Sequence, residues 1–407
     1  MIATSINTER LEELIAGHQP GFTLPQPFYT DPAIFERDLE RIFFRHWLLA
    51  GHVAQLPEPG SYFLYEIAGE SIIITRDRHN EIHALWNVCR HRGSRICSAP
   101  SGRVNSLTCP YHAWTYGCDG RLLGASAMAD SFDRDAFGLK RCPIRVDHGV
   151  IQIYLGDGQP PELNDVWRDI EPYAAPYQLS QAKFAVRLTW ELKANWKLVV
   201  ENFAECYHCG PAHPEYCSLM DEALVESTQS PARIKEYAQR QAAWEDQARA
   251  MGHHVGLCAA SDDKLHCASR SLIGGNRLSP TQTGLPIAPI MGTFGQADGG
   301  YTSWRIHPGQ YFLSPCDHGV LNRFTPLDVD RTLQEMIWLV HPDAMEGKDY
   351  HVDELTWLWR VTNGQDLKII EDNQLGVASR GYQPGPYSKA EHGPNRFLNW
   401  YLSQLAE

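Results

Sequence analysis

Two short segments, Cys89-Arg-His91 and, 17 residues further on, Cys109-Pro-Tyr-His112, constrain this chain more than anything else in it. Each sets one thiol beside one imidazole. Around the first, Ser61 to Ile67, Glu70 to Thr75 and Glu81 to Val88 alternate or run apolar with the period of strands, separated by the turn-like Ala68-Gly69 and Asp77-Arg-His-Asn80. A small antiparallel β unit is therefore predicted, with the two Cys/His pairs on its tips. Two thiolates on one iron and two imidazoles on the other suit a [2Fe-2S] cluster. A structural Cys2His2 zinc site is the alternative, but its histidines normally follow both cysteines on a helix. One Cys and one His on each loop favours the cluster.

A second segment, Glu201 to His213, carries Asn202, Glu205 and His208 at intervals of three, a spacing that predicts one shared helical face. His213 lies five residues after His208, about 140° further round a helix. Gly210 and Pro211 between them are predicted to stop the helix and let the chain curl back. Taken alone, the pair reads more readily as ordinary helix-end histidines than as a metal site. Two histidines and a carboxylate, however, form the facial set that leaves iron(II) open positions. A helical region from about Val352, with Leu355, Leu358, Trp359, Leu367, Ile370 and Leu375 as its apolar residues and Gly364 as a possible break, offers that carboxylate in Glu371-Asp372.

The 407 residues can bury a full core and predict two domains, and 43% hydrophobic with 21% charged residues is a globular composition. With 36 basic against 49 acidic residues, the net charge of -13 disfavours nucleic acid as a partner. Eleven scattered cysteines form no disulfide framework and predict a reduced compartment. Neither an 18-residue apolar run nor a leader is visible, so a cytoplasmic protein without a membrane partner is expected. Helices are predicted after Thr30-Asp31-Pro32, over 165–180 and over 225–250, and strands over Ala185 to Leu192, Gln310 to Leu313, Val320 to Thr325 and Leu333 to Pro342. The Gly-, Pro- and Ser-rich stretch 251–300 is predicted as a loop near the active-site mouth. Its His253, His254, Cys258, His266 and Cys267 are expected to be surface residues, because their spacing is irregular.

Cys89-Arg-His91-Arg-Gly, Cys109-Pro-Tyr-His112-Ala-Trp-Thr-Tyr and the run from Asn195-Trp-Lys to His213 together resemble the α subunits of Rieske non-haem iron oxygenases, over roughly residues 30 to 400. The resemblance implies an α+β fold: N-terminal helices over 1–40 packing on the catalytic domain, a small antiparallel β Rieske domain over 41–156, and a catalytic domain over 157–407 with an antiparallel sheet covered by helices. It implies Cys89, His91, Cys109 and His112 as cluster ligands, and His208, His213 and Asp372 as mononuclear iron ligands, with Glu371 as the fallback. Respiratory Rieske proteins carry an extra cysteine in each loop, where this chain has Ser94 and Tyr111. By the same resemblance Glu205, where many relatives have Asp, bridges His208 to His112 of the adjacent subunit in a homotrimer, and Asn202 stands behind the ligands. No nucleotide-binding Gly-x-Gly-x-x-Gly follows a strand, so NAD(P)H electrons are expected through a separate flavin/[2Fe-2S] reductase.

Glu205 and Ala113, where ring-attacking relatives usually have Asp and Gly, are similar to the branch acting on quaternary ammonium compounds such as glycine betaine, stachydrine and carnitine. The reaction this implies is hydroxylation of an N-methyl group, with loss of formaldehyde. A cation that cannot donate hydrogen bonds is held by aromatic faces, for which Phe203, Tyr207, Tyr301, Trp304, Tyr311 and Phe312 are candidates. The alternatives are an aromatic-ring hydroxylase, a Rieske electron carrier, which would have no use for a second iron, and a zinc-stabilised binding module, which would be colourless.

Overall fold

The computed structural model describes residues 8–257 and 265–406. The chain divides into two compact units, Phe44–Pro161 on the one hand and Met1–Phe43 with Glu162–Glu407 on the other.

The smaller unit is built on a five-stranded antiparallel sheet in the order Ser101–Arg103, Ser61–Ile67, Glu70–Arg76, Ile82–Trp86, Arg141–Cys142. Leu64, Ile73 and Leu85 stand opposite one another across three of these strands, and their shared face packs against Trp114 and Tyr116. The third strand stops at Trp86 rather than Val88. Asn87, fully buried, leaves the ladder and uses its side chain to close the loop that follows: Oδ1 accepts from Ile96 N and Cys97 N at 2.9 Å, and Nδ2 donates to Cys97 O at 2.7 Å. A second small sheet, Leu107–Thr108, Thr115–Tyr116 and Leu122–Gly124, presents the other Cys/His loop.

The larger unit holds a seven-stranded antiparallel sheet in the order Lys183–Leu192, Arg331–Val340, Gly319–Asp328, Gln310–Ser314, Gly300–Ile306, His266–Leu272, Gly256–Leu257. Helices Trp196–Phe203 and Val352–Val377 pack on it. The expected α+β class is the observed one. Three local expectations are corrected. The stretch 251–300 is not simply a loop, because His266–Leu272 is an inner strand paired along its whole length with Gly300–Ile306. His253 and His266 are accordingly buried, each against its own carboxylate, Asp298 at 2.7 Å and Asp169 at 3.0 Å; His254 is exposed, and Cys258 lies outside the described residues. Gly364 does not break its helix, which runs unbroken for 26 residues; packing on both sides outweighs the roughly 1 kcal/mol that glycine costs there.

A buried ion pair clamps the start of the Trp196–Phe203 helix. Asp38 and Lys197 are both fully buried and paired to each other, and the Asp38 carboxylate also accepts from Trp196 Nε1 at 2.9 Å and Tyr401 Oη at 2.6 Å. Asn195 caps the helix, its Oδ1 accepting from Lys197 N, while its own N–H donates to Gln374 Oε1 at 2.8 Å. The helix that leads to His208 is thus anchored to three other segments at its first turn.

Candidate functional site

In the smaller unit the two Cys/His loops fold alike. Gly93 N–H donates to Cys89 O and Cys89 N–H to Ser94 O; in the second loop Ala113 N–H donates to Cys109 O and Cys109 N–H to Trp114 O. The fifth residue of each is left-handed, Gly93 at φ 77° and Ala113 at φ 57°. Glycine takes that conformation freely and alanine at a cost of about 1 kcal/mol, so the second loop is held by its surroundings. This geometry turns both thiols inward, 3% and 2% exposed, and both imidazoles outward, with the His91 and His112 rings 4.7 Å apart. His91 stacks on Trp114 at 4.9 Å. Tyr116 Oη accepts the Arg90 N–H at 3.0 Å and lies 3.2 Å from Cys89 Sγ, placed to donate to that sulfur once the thiol is ionised. Burial opposes ionisation of Cys109, but the Tyr111 and His112 amides and the Cys89 thiol outweigh it and draw its pKa down. Paired sulfurs inside, paired imidazoles outside and donors on the sulfur are what a Rieske cluster requires.

In the larger unit the Trp196–Phe203 helix ends before Glu205, and His208 begins a separate helical turn, Cys209–Ala212, that contains Gly210 and Pro211. The predicted single helix face is therefore not formed. Asn202, Glu205 and His208 nevertheless meet, because the Glu205 carboxylate folds the connecting turn: Oε2 accepts the Tyr207 and His208 N–H groups and Oε1 lies 2.6 Å from His208 Nδ1. One helical turn carries the chain from His208 to His213, whose Nε2 lies 3.1 Å from His208 Nε2.

The third member is Asp366, not Asp372. Asp366 Oδ1 stands 2.9 Å from His213 Nε2 and 3.4 Å from His208 Nε2. Asp372 is exposed and bonds Lys368 on the surface, and Glu371 accepts the Lys193 N–H. Helical phase explains the correction. Leu355, Trp359, Thr362, Asp366 and Ile370 form the buried stripe, whereas a residue six positions after Asp366 is rotated about 120° from it. A carboxylate in helical phase with Leu355, Trp359 and Ile370 was the signal available in the sequence.

Proton positions follow from the outer partners. A carboxylate cannot donate, so His208 Nδ1 carries the hydrogen toward Glu205. Gln365 bonds Glu215 through its Nε2 at 2.8 Å and so presents Oε1 to His213 Nδ1 at 2.9 Å, which must also donate. With both Nδ1 hydrogens directed outward, His208 Nε2, His213 Nε2 and Asp366 Oδ1 converge on one space, where a cation and a proton on His208 compete. Burial opposes a charge on His208, but Asp366 and Glu205 outweigh it and push its pKa up to about 10; the same histidines hold Asp366 below the usual carboxylate range against its burial. Two imidazoles and one carboxylate, with Asn202 Nδ2 3.4 Å from His208 Nε2, fit iron(II). Gln365 was not singled out in the sequence. Gln365→Leu is expected to weaken iron binding about 10- to 100-fold, read by titrating metal-free protein with ferrous ion.

The aromatic candidates divide by strand parity. Trp304 and Phe312 stack on each other against Trp167 and Tyr177, on the face of the sheet away from the histidines. Tyr207 is 48% exposed. Phe203 and Tyr311 remain, their rings 4.9 Å apart, with Phe203 5.9 Å from Trp359 and Tyr216 6.1 Å from the same indole; Tyr301 and Leu313 line the same side. Tyr216 and Trp359 were not among the sequence candidates.

Among known proteins, the family described as Rieske [2Fe-2S] domain matches residues 46–143, and Ring hydroxylating alpha subunit (catalytic domain) matches 179–407. A glycine betaine monooxygenase oxygenase subunit of Pseudomonas aeruginosa (strain UCBPP-PA14) is 38% identical, covering 97% of this chain and 91% of its own. A carnitine monooxygenase oxygenase subunit of Acinetobacter pittii (strain PHEA-2) is 28% identical, over 91% and 90%. A crystal structure of the quaternary ammonium Rieske monooxygenase CntA with an inhibitor superposes with a TM-score of 0.73 at 23% identity, over 99% of both chains, a likeness of fold.

Proposed function

This chain belongs to the Rieske-type ring-hydroxylating oxygenase α-subunit family, and on that premise we propose that it removes an N-methyl group from a betaine-type quaternary ammonium compound, glycine betaine or stachydrine, as formaldehyde. It is an oxidoreductase with a Rieske cluster and a mononuclear iron. The carrying observation is the convergence of His208 Nε2, His213 Nε2 and Asp366 Oδ1 with both Nδ1 hydrogens already committed. The substrate class is supported by relatives named for glycine betaine and carnitine.

When bound, the iron and the cluster supply dioxygen activation and electron delivery. The rest falls to the protein. Glu205 and Gln365 hold the two imidazoles in the ligating tautomer, and Asp366 balances the charge. Phe203, Tyr216 and Trp359 sit on the same segments as Asn202, His213 and Asp366, and are the aromatic faces offered to a trimethylammonium group, an interaction of about 1–2 kcal/mol. The balance is N–CH3 + O2 + 2e⁻ + 2H⁺ → N–CH2OH + H2O; the carbinol then loses formaldehyde and a proton to leave the tertiary amine. Electrons are taken to come from NAD(P)H through a separate flavin/[2Fe-2S] reductase, and by family likeness the Cys/His loops of one subunit serve the next in a homotrimer, with Glu205 as the bridge. Among the described residues no helix is long and apolar enough to cross a membrane, in keeping with a cytoplasmic site of action.

The test is formaldehyde release with dioxygen, NADH and a generic reductase across glycine betaine, proline betaine, carnitine, choline and benzoate. Stoichiometric formaldehyde is expected from one betaine, and Trp359→Ala should raise KM for it about ten-fold with a smaller change in kcat. Oxygen uptake on benzoate with no formaldehyde from any amine would sink the betaine reading.

A further inference from the structure

A cleft of about 310 Å³ opens beside the mononuclear site, and Asn202, Glu205 and His208 line it together with Glu201, Tyr387 and Glu391. At about 30 Å³ per molecule it has room for several waters. Glu201 is 8% exposed, and both its oxygens accept hydroxyl hydrogens, Oε1 from Tyr29 and Oε2 from Tyr387, each at 2.8 Å. Glu201 makes neither of these bonds to a metal ligand. Each turnover nevertheless consumes two protons at a site whose own carboxylates are committed, Asp366 to both histidines and Glu205 to His208.

We propose that Glu201 delivers protons to the mononuclear site, passing them through the cleft past Asn202 and being refilled from solvent along the cleft wall that carries the part-exposed Glu391. The step moves one proton from the Glu201 carboxyl into the cleft and returns one from solvent, with no change of oxidation state in the protein. The groups facing Glu201 are consistent with this role. Burial raises its pKa to about 7, countered by the Tyr29 and Tyr387 hydroxyls and by Lys197 and reinforced by Glu391; Tyr382 and Tyr401 also face it, and Lys197 is itself neutralised by Asp38. A carboxyl that titrates near neutrality is suited to proton transfer at working pH. The inference rests on the oxygenase reading and not on the choice of betaine.

The test uses the iron-loaded protein and two variants. In infrared difference spectra against pH, without substrate, wild type should lose a protonated carboxyl band with a midpoint near 7, and Glu201→Gln should lack that band. Tyr387→Phe removes a hydrogen bond to the charged form, so the midpoint should move to higher pH. In turnover, wild-type kcat should fall as pH rises through the same midpoint. Glu201→Gln should be slower by about a hundred-fold and without that limb, and Tyr387→Phe should carry its limb to higher pH with the band. A purely structural role for Glu201 would not move the limb in Tyr387→Phe. Absence of the band in wild type, or a Glu201→Gln protein that keeps the wild-type limb, overturns the proposal; absence of wild-type turnover with every amine speaks against the substrate reading and leaves the infrared result to decide this one.

Discussion

Asp366→Ala is expected to empty the mononuclear site and abolish oxygenation while the absorption of the cluster stays as in wild type, and Asp372→Asn is expected to do neither. Asp366 provides the only carboxylate oxygen among the described residues within reach of both His208 Nε2 and His213 Nε2. Its loss leaves two neutral imidazoles in a buried site, so iron affinity should fall by more than the about 10- to 100-fold typical of changes outside the ligand set. Asp372, about 120° round the same helix and bonded to Lys368, contributes a surface pair worth less than about 1 kcal/mol. Iron content per chain, measured with the visible spectrum of each variant, separates the two. Wild-type iron content in Asp366→Ala would remove Asp366 from the site.

Lys197→Met should carry the largest stability cost in the larger unit, about 3–5 kcal/mol, because it leaves Asp38 ionised and fully buried without its cation. The Trp196 and Tyr401 hydrogen bonds to Asp38 soften the loss without cancelling a charge. The double variant Lys197→Met with Asp38→Leu removes both charges and should recover most of it. Urea unfolding of the three proteins reads the series. A single variant within about 0.5 kcal/mol of wild type would mean that the pair does not anchor the helix leading to His208.

Much of the site was legible because its chemistry is carried by residue type over short spans. Cys89, His91, Cys109 and His112 stand on loops that local turns define, each closed by backbone hydrogen bonds within five residues of its cysteine. His208 and His213 are brought together by a single helical turn, although the continuous helix expected for Asn202, Glu205 and His208 is not what joins them. What failed was any inference about which face of a long helix looks inward. Glu371-Asp372 follows an apolar pair and so resembles a buried carboxylate, yet Ile369 and Ile370 differ in burial and only Ile370 shares the stripe of Asp366. The strand His266–Leu272 was missed for a related reason: its inward positions carry histidine and arginine as well as alanine and leucine, a pattern with no apolar alternation to detect.

The sequence by itself determined the ligand types, the order of the two metal-binding motifs and the α+β class, because thiol, imidazole and strand or helix period are local properties of the chain. Only the tertiary structure decided that Asp366 stands beside the histidine pair, that Gln365 bonds His213, and that Trp359 and Tyr216 pack with Phe203 on one side of the sheet while Trp304 and Phe312 pack on the other. Those choices depend on the phase of the Val352–Val377 helix and on the parity of the sheet against it. Phase and parity are set by which faces the whole core buries, a sum over contacts distant in sequence that no single stretch of residues contains.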